Sequence, residues 1–221
     1  MTDVKTSYLY GFITSQDCTE QIYKINICTD KILISCILYK SINLIILNKK
    51  FMNIISKFTV GSEEGISDLI AIIDSSVNAL HKDFIAEEDI KKYQNEIDPR
   101  KMINDLNDLS NQLIMTYADQ QPVGYSIIKS GSGYPGIPDG IRATEISFVI
   151  LPKFDSPETR QSLWKKCRSA VSFTDVIWIN MLVHDPLIEF LKESGFTPIS
   201  DSQAEPFLLP SQILKMDIQK N

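Results

Sequence analysis

SFVILPKFDSPETRQSLW, running from Ser147 to Trp164, decides how this chain is read. An apolar run ends at Pro152, an aromatic residue follows at Phe154, and Asp155-Ser156-Pro157-Glu158 leads into a helical pattern. The order is strand, short loop, helix start. The first backbone N–H groups of a helix have no partner within it, so such junctions commonly hold phosphate groups. Phosphate loops usually carry glycine, because its backbone can approach an anion with no side chain in the way. This loop carries none.

Working outward, SPETRQSLWKKCRSAV predicts a helix with Pro157 in its first turn, where the missing N–H costs nothing. DVIWINMLV predicts a buried strand. PLIEFLKESGF predicts a short helix stopped by Gly195, and FTPIS and SQILKMDI predict the closing strands. Upstream, ATEISFVIL predicts one strand whose end is continuously apolar. QLIMTYA, DQQP and VGYSIIK predict an antiparallel hairpin. SGSGYPGIPDG, with four glycines and two prolines, is a loop. Earlier still, NIISKFTV reads as a strand. SDLIAIIDSSVNALHKDF reads as a helix capped by Ser67, with Leu69, Ile70, Ile73, Val77 and Leu80 on one face. AEEDIKKYQNEI continues helical to Pro99, and RKMINDLNDLSN adds a short piece with Met102, Ile103, Leu106 and Leu109 in phase. The pattern is an α+β sandwich around one mixed sheet, without internal repeats.

The composition is that of a globular protein: 43% hydrophobic and 23% charged over 221 residues. A net charge of −6 disfavours nucleic acid as a partner. The cysteines are Cys18, Cys28, Cys36 and Cys167; with only His81 and His184 beside them and no CxxC pair, no metal site is expected. Free thiols suit a reducing, cytoplasmic location. Residues 1–51 read as an apolar N-terminal extension of unclear role, and residues 52–221 have the length of one ordinary domain. ILISCILYKSINLIIL, residues 32–47, is shorter than the roughly 20 apolar residues of a membrane span and carries Lys40 and Asn43. It reads as two short strands, with weak membrane contact as the alternative.

Four pieces, in order, resemble the GNAT superfamily of acyl-CoA-dependent N-acyltransferases. QQPVGYSII is similar to that family's hairpin of second and third strands, and ISFVILPKF to its fourth strand. SPETRQSLWKKCRSAV stands where its cofactor helix follows, and IWINMLVHDPLIEFLKESGF is similar to its fifth strand and fourth helix. The resemblance implies a mixed, mostly antiparallel central sheet flanked by helices, with fourth and fifth strands that splay apart. It also implies acetyl-CoA, or another acyl-CoA, in the notch between them, and a small-molecule or protein amine that attacks the thioester directly. Carried over residue by residue, the cofactor would lie along Val149, Ile150 and Leu151. Its diphosphate would lie on Asp155, Ser156, Glu158, Thr159, Arg160 and Gln161.

This chain departs from the family pattern in that loop. Glu158 and Arg160 stand where the two glycines belong, Asp155 stands at the Arg/Gln place, and Pro157 has no N–H. The same residues make a self-sufficient helix start, with Asp155 or Ser156 as cap and acidic groups at the positive helix end. The family's tyrosine, which protonates the leaving thiolate, is replaced by Leu191. His184 is the candidate acid instead, or else a strand-end histidine with a structural hydrogen bond. Glu145 is the candidate base, standing one residue from the expected place, and a one-residue slip turns a strand side chain to the other face. Tyr117 and Tyr125 read as acceptor-side or sheet-packing residues. HKDFIAEEDIKKY and SGSGYPGIPDG stand where the family builds its acceptor pocket. Two functions therefore stay open: an N-acyltransferase, and a non-catalytic binding or regulatory module of the same fold. A homodimer stays open as well.

Overall fold

The computed structural model describes residues 52–218. The expectations for the N-terminal extension, the 32–47 run and three of the four cysteines fall outside the described residues.

Eight strands form one sheet in the order β1-β2-β3-β4-β6-β8-β7, and β5 pairs β3 just beyond β4. β1 spans Ile54–Thr59, β2 Asn111–Ala118, β3 Gln121–Ser130, β4 Ala143–Ile146, β5 Val149–Ile150, β6 Val176–Leu182, β7 Thr197–Ala204 and β8 Leu209–Asp217. Only β4 and β6 run parallel. Three helices cover one face: α1 (Glu63–His81), α2 (Glu87–Glu96) and α3 (Pro99–Leu106). α4 (Pro157–Ala170) and α5 (Ile188–Glu193) cover the other. This is the mixed α+β architecture that the strand and helix order implies.

α1 begins five residues before the start expected with Ser67 as its cap. Ser62 is its cap and accepts the Gly65 N–H at 3.2 Å, while Glu63 and Glu64 sit at the positive end of the helix. The apolar stripe also sits differently. Ile66, Leu69, Ile72, Ile73 and Val77 are buried, whereas Ile70 and Leu80 are only half-buried. Leu109 lies beyond the end of α3 and is 99% exposed, so the in-phase pattern overran the helix.

The hairpin between β2 and β3 turns on Asp119 and Gln120, both at positive φ. Two such residues in a two-residue loop match the right-handed twist of the flanking strands. A bulge at Val123 shifts the register between Thr116 and Tyr117. The stretch read as one strand, ATEISFVIL, is broken. Ser147 N–H donates to the Ile127 carbonyl at 2.9 Å, but Ile127 N–H donates to the Ser147 hydroxyl at 2.7 Å. A side-chain oxygen has taken the ladder position of a backbone carbonyl, which interrupts the strand between β4 and β5.

The two possible caps of α1 separate cleanly by mutation. Ser62→Ala should cost about 1 kcal/mol of stability, and Ser67→Ala, on the exposed surface, should stay within about 0.5 kcal/mol. Urea denaturation of the two variants checks this, and the reverse order would restore Ser67 as the cap.

Candidate functional site

The cleft comes from a ladder that stops. β4 and β6 pair only from Ala143–Val176 to Glu145–Trp178. Beyond that point β5 keeps its pairing with β3, at Gly124–Ile150 and Tyr125–Val149, while β6 keeps its pairing with β8 up to Leu182–Ser211. Each strand stays with its outer neighbour, so the two diverge. A methyl group at Gly124 would come within 2.7 Å of the Val149 carbonyl, so only glycine admits β5 this close to β3.

Pleat alternation fixes what the divergent edge presents. Ser147 and Leu151 direct their N–H groups at β3, bonding Ile127 and Val123. The N–H and C=O groups of Phe148 and Ile150 therefore face away from β3, toward the opening, where β6 no longer pairs with them. Beneath the opening Phe148, 1% exposed, packs its ring 5.9 Å from Phe190 of α5 and 6.4 Å from Trp164 of α4. These large rings fill the space that a closed ladder would have eliminated.

A cavity of about 200 Å³ occupies the opening on the α1 side. Its chemistry comes from His81, Tyr93, Tyr125, Ser147, Asn180 and Asp185, with Val149, Met181 and Leu182 as apolar wall. Burial and the neighbouring His184 both lower the His81 pKa from its ordinary 6.5, so the imidazole is neutral at physiological pH. Its Nδ1 is buried and has no hydrogen-bond partner among the described residues. Burial pushes the Asp185 carboxyl up, against the Leu187 N–H that donates to it at 2.8 Å. Burial likewise raises Tyr93 and, further, Tyr125. Desolvation thus favours the uncharged form of every one of these titrating groups.

The carboxylate and histidine singled out from sequence lie elsewhere. Glu145 does not line the cavity; it accepts the Ser132 hydroxyl at 2.8 Å, lies 4.0 Å from Lys129 Nζ and pairs across the sheet with Trp178. His184 is absent from the lining too. Its Nε2 lies 3.2 Å from the Leu80 carbonyl oxygen and its ring 4.1 Å from Phe84. Leu191 is wholly buried in the core. Burial, reinforced by the hydrogen bond that Tyr117 donates to Asp68 at 3.0 Å, pushes Tyr117 up to about 12, while Tyr125 does reach the cavity. HKDFIAEEDIKKY supplies its two end residues, His81 and Tyr93, to the lining. SGSGYPGIPDG supplies none, its Tyr134 packing on Trp178 instead.

Val149 lines the cavity, and Ile150 and Leu151 continue the same edge. The loop that follows is closed on itself. Ser156 caps α4, its hydroxyl accepting the Thr159 N–H at 3.2 Å. Asp155 takes both arms of the Arg160 guanidinium at 2.5 and 2.6 Å, and that guanidinium sits 5.9 Å over the Phe190 ring. Glu158 and Gln161 are exposed. β5 thus presents an open edge, and the helix start that follows it has already satisfied its own donors and charges.

His81, Asn180 and Asp185 were not legible as site residues. His81 lies at the end of a helix whose periodicity accounts for it as core, and Asn180 sits inside an apolar strand run. The useful signal was topological: a fifth-strand end and an early-helix end both border the splay. Among the described residues no cluster could hold a metal ion, and no helix is long and apolar enough to cross a membrane.

No protein-family model and no curated protein sequence matches the chain. Solved structures do. The PaiA N-acetyltransferase of Thermoplasma acidophilum, solved in complex with coenzyme A, superimposes with a TM-score of 0.59 at 14% identity, covering 75% of this chain and 99% of that one. The aminoglycoside N(6')-acetyltransferase of Legionella pneumophila gives 0.53 at 16% identity, covering 76% and 95%. FeeM, an N-acyl amino acid synthase from uncultured soil microbes, gives 0.52 at 14% identity, covering 76% and 92%. The described chain has the GNAT fold.

The low His81 pKa has a thermodynamic consequence. A histidine whose folded pKa lies below its unfolded value favours folding while neutral. That contribution is complete above 6.5 and is lost as the pH falls through the folded value. Asp185 acts oppositely and lower: with its pKa raised from 3.8, its favourable term is lost as the pH rises through the folded value. Unfolding free energy measured between about pH 7.5 and 5 should therefore fall more steeply for the native chain than for His81→Phe. Equal slopes would show that His81 is not desolvated in the folded state.

Proposed function

We propose that the protein is an N-acyltransferase that transfers an acyl group, acetyl being the simplest, from an acyl-CoA thioester to an amine bound in the cleft. The observation that carries this reading is the combination of an unpaired β5 edge with a neutral, buried imidazole in the same opening. The fold shared with N-acetyltransferases supports it.

The thioester, when bound, supplies an activated acyl carbon and a thiolate leaving group. The chain's own groups do the rest. The Phe148 and Ile150 N–H groups are fixed donors for the thioester carbonyl and for amides of the arm behind it, as an extended ligand pairs with a free strand edge. The amine arrives largely as ammonium and attacks only after losing a proton; the His81 imidazole accepts that proton. A C–N bond then forms as the C–S bond breaks; the second proton shed by the attacking nitrogen neutralises the departing thiolate, and the His81 imidazolium returns the first to solvent. Tyr93, Tyr125, Met181 and Leu182 keep water from the thioester. Glu205, exposed at the rim of the lining, favours a cationic acceptor.

The self-closed loop at Asp155–Arg160 favours a second reading, a module of this fold that binds without catalysing. Purified protein mixed with acetyl-CoA and a panel of aliphatic diamines and lysine-containing peptides decides between the two. Amine-dependent thiol release is the expected result. His81→Gln should lower kcat by about 100-fold at neutral pH, and by more than Glu145→Gln does. No turnover with any amine, together with no rise in melting temperature at millimolar acetyl-CoA, would favour the non-catalytic module.

A further inference from the structure

Resting on the acyltransferase reading, we infer that this protein recognises its donor by the pantetheine-thioester arm and makes no use of the nucleotide diphosphate. An S-acylated pantetheine arm would then be a donor whatever it is attached to.

Three observations converge on this. The first concerns the arm. Pantetheine carries two amide groups along an extended chain, and the edge of β5 presents the matching backbone groups of Phe148 and Ile150 with no ladder partner from β6. The second concerns donors. Of the first α4 positions, Pro157 has no N–H, Thr159 N–H bonds the Ser156 hydroxyl and Arg160 N–H bonds the Ser156 carbonyl at 2.9 Å. A helix start that normally offers several N–H groups to an anion has already spent these positions on itself.

The third is charge. Arg160, in the first turns of α4, is held by Asp155 with both arms; their side chains are 29% and 15% exposed. Glu193 also acts on Arg160, and the Asp155 carboxylate is close enough to Asp185, across the opening, to raise the Asp185 pKa. Glu158 adds another carboxylate in the first turn of α4. A diphosphate would have to break a well-formed bidentate pair and then lie among several carboxylates. An uncharged arm meets none of these costs.

Calorimetric titration of the full chain tests the inference directly. Coenzyme A and pantetheine should bind with dissociation constants within about threefold of each other, and adenosine 3',5'-diphosphate should not displace either. Acetyl-CoA and S-acetyl-pantetheine should likewise give kcat/KM values within about threefold. Binding of coenzyme A more than about 30-fold tighter than pantetheine would overturn the inference while leaving the acyltransferase reading intact. Binding of neither, with no acyl transfer, would overturn both. The double variant Asp155→Asn with Glu158→Gly adds an independent arm. It should tighten coenzyme A about tenfold and leave pantetheine unchanged; an equal change in both, or none, would count against the inference. The comparison of ligands on the native chain stands even if that variant fails to fold.

Discussion

The parallel ladder between β4 and β6 ends at Glu145–Trp178, and the rest of the molecule is arranged around that ending. Unpaired strand edges are costly inside a protein, so a gap within a sheet persists only when both strands have better partners elsewhere. Here β5 is held to β3, with Gly124 permitting the close approach, and β6 is held to β8 along its whole length. Phe148, Trp164 and Phe190 fill the space below. Closing the gap would require expelling these rings from a packed core, where removing one large aromatic side chain typically costs about 3–5 kcal/mol. The cleft is therefore a stable feature of the core.

The same packing governs the chemistry. Enclosure by α1, β5 and β6 removes water from His81, Tyr93, Tyr125 and Asp185, and each responds by favouring its uncharged form. For a histidine that means a proton acceptor ready at neutral pH. The only two histidines of the chain, far apart in sequence, are close enough for the charge of one to lower the pKa of the other. His184, bound to the Leu80 carbonyl and stacked on Phe84, tunes His81 from outside the lining. On the opposite side of the opening, Asp155, Arg160 and Ser156 satisfy one another and leave little for an anion. One cleft thus has an open, unpaired strand edge on one side and a self-satisfied helix start on the other.

Much of this architecture was readable from residue patterns. Strand and helix order, the hairpin at Asp119–Gln120, the stop at Gly195 and the self-capping start at Ser156 all follow from local chemistry: apolar periodicity, φ preference and cap hydrogen bonds, which involve residues within a few positions of each other. Ser156-Pro157-Glu158 makes a helix start in any context, and its lack of glycine argued against a phosphate cradle. The misplaced cap of α1 shows the limit of such signals. Ser62 and Ser67 both precede apolar residues, and only the packing of Ile66 and Gly65 against the sheet selects the earlier one.

What the sequence could not decide was which polar residues meet. Glu145 and Ser147 are two residues apart in what reads as one strand, yet a side-chain hydroxyl entering the ladder at Ser147 breaks that strand, puts Ser147 in the cleft and leaves Glu145 packed by Ser132 and Trp178. His81 and Asp185 carry no local mark, because their importance comes from burial beside partners a hundred residues away. Local interactions are written into short stretches and survive being read in isolation. Desolvation and proximity depend on the whole chain's packing, so the elements belong to the sequence and the site belongs to the fold.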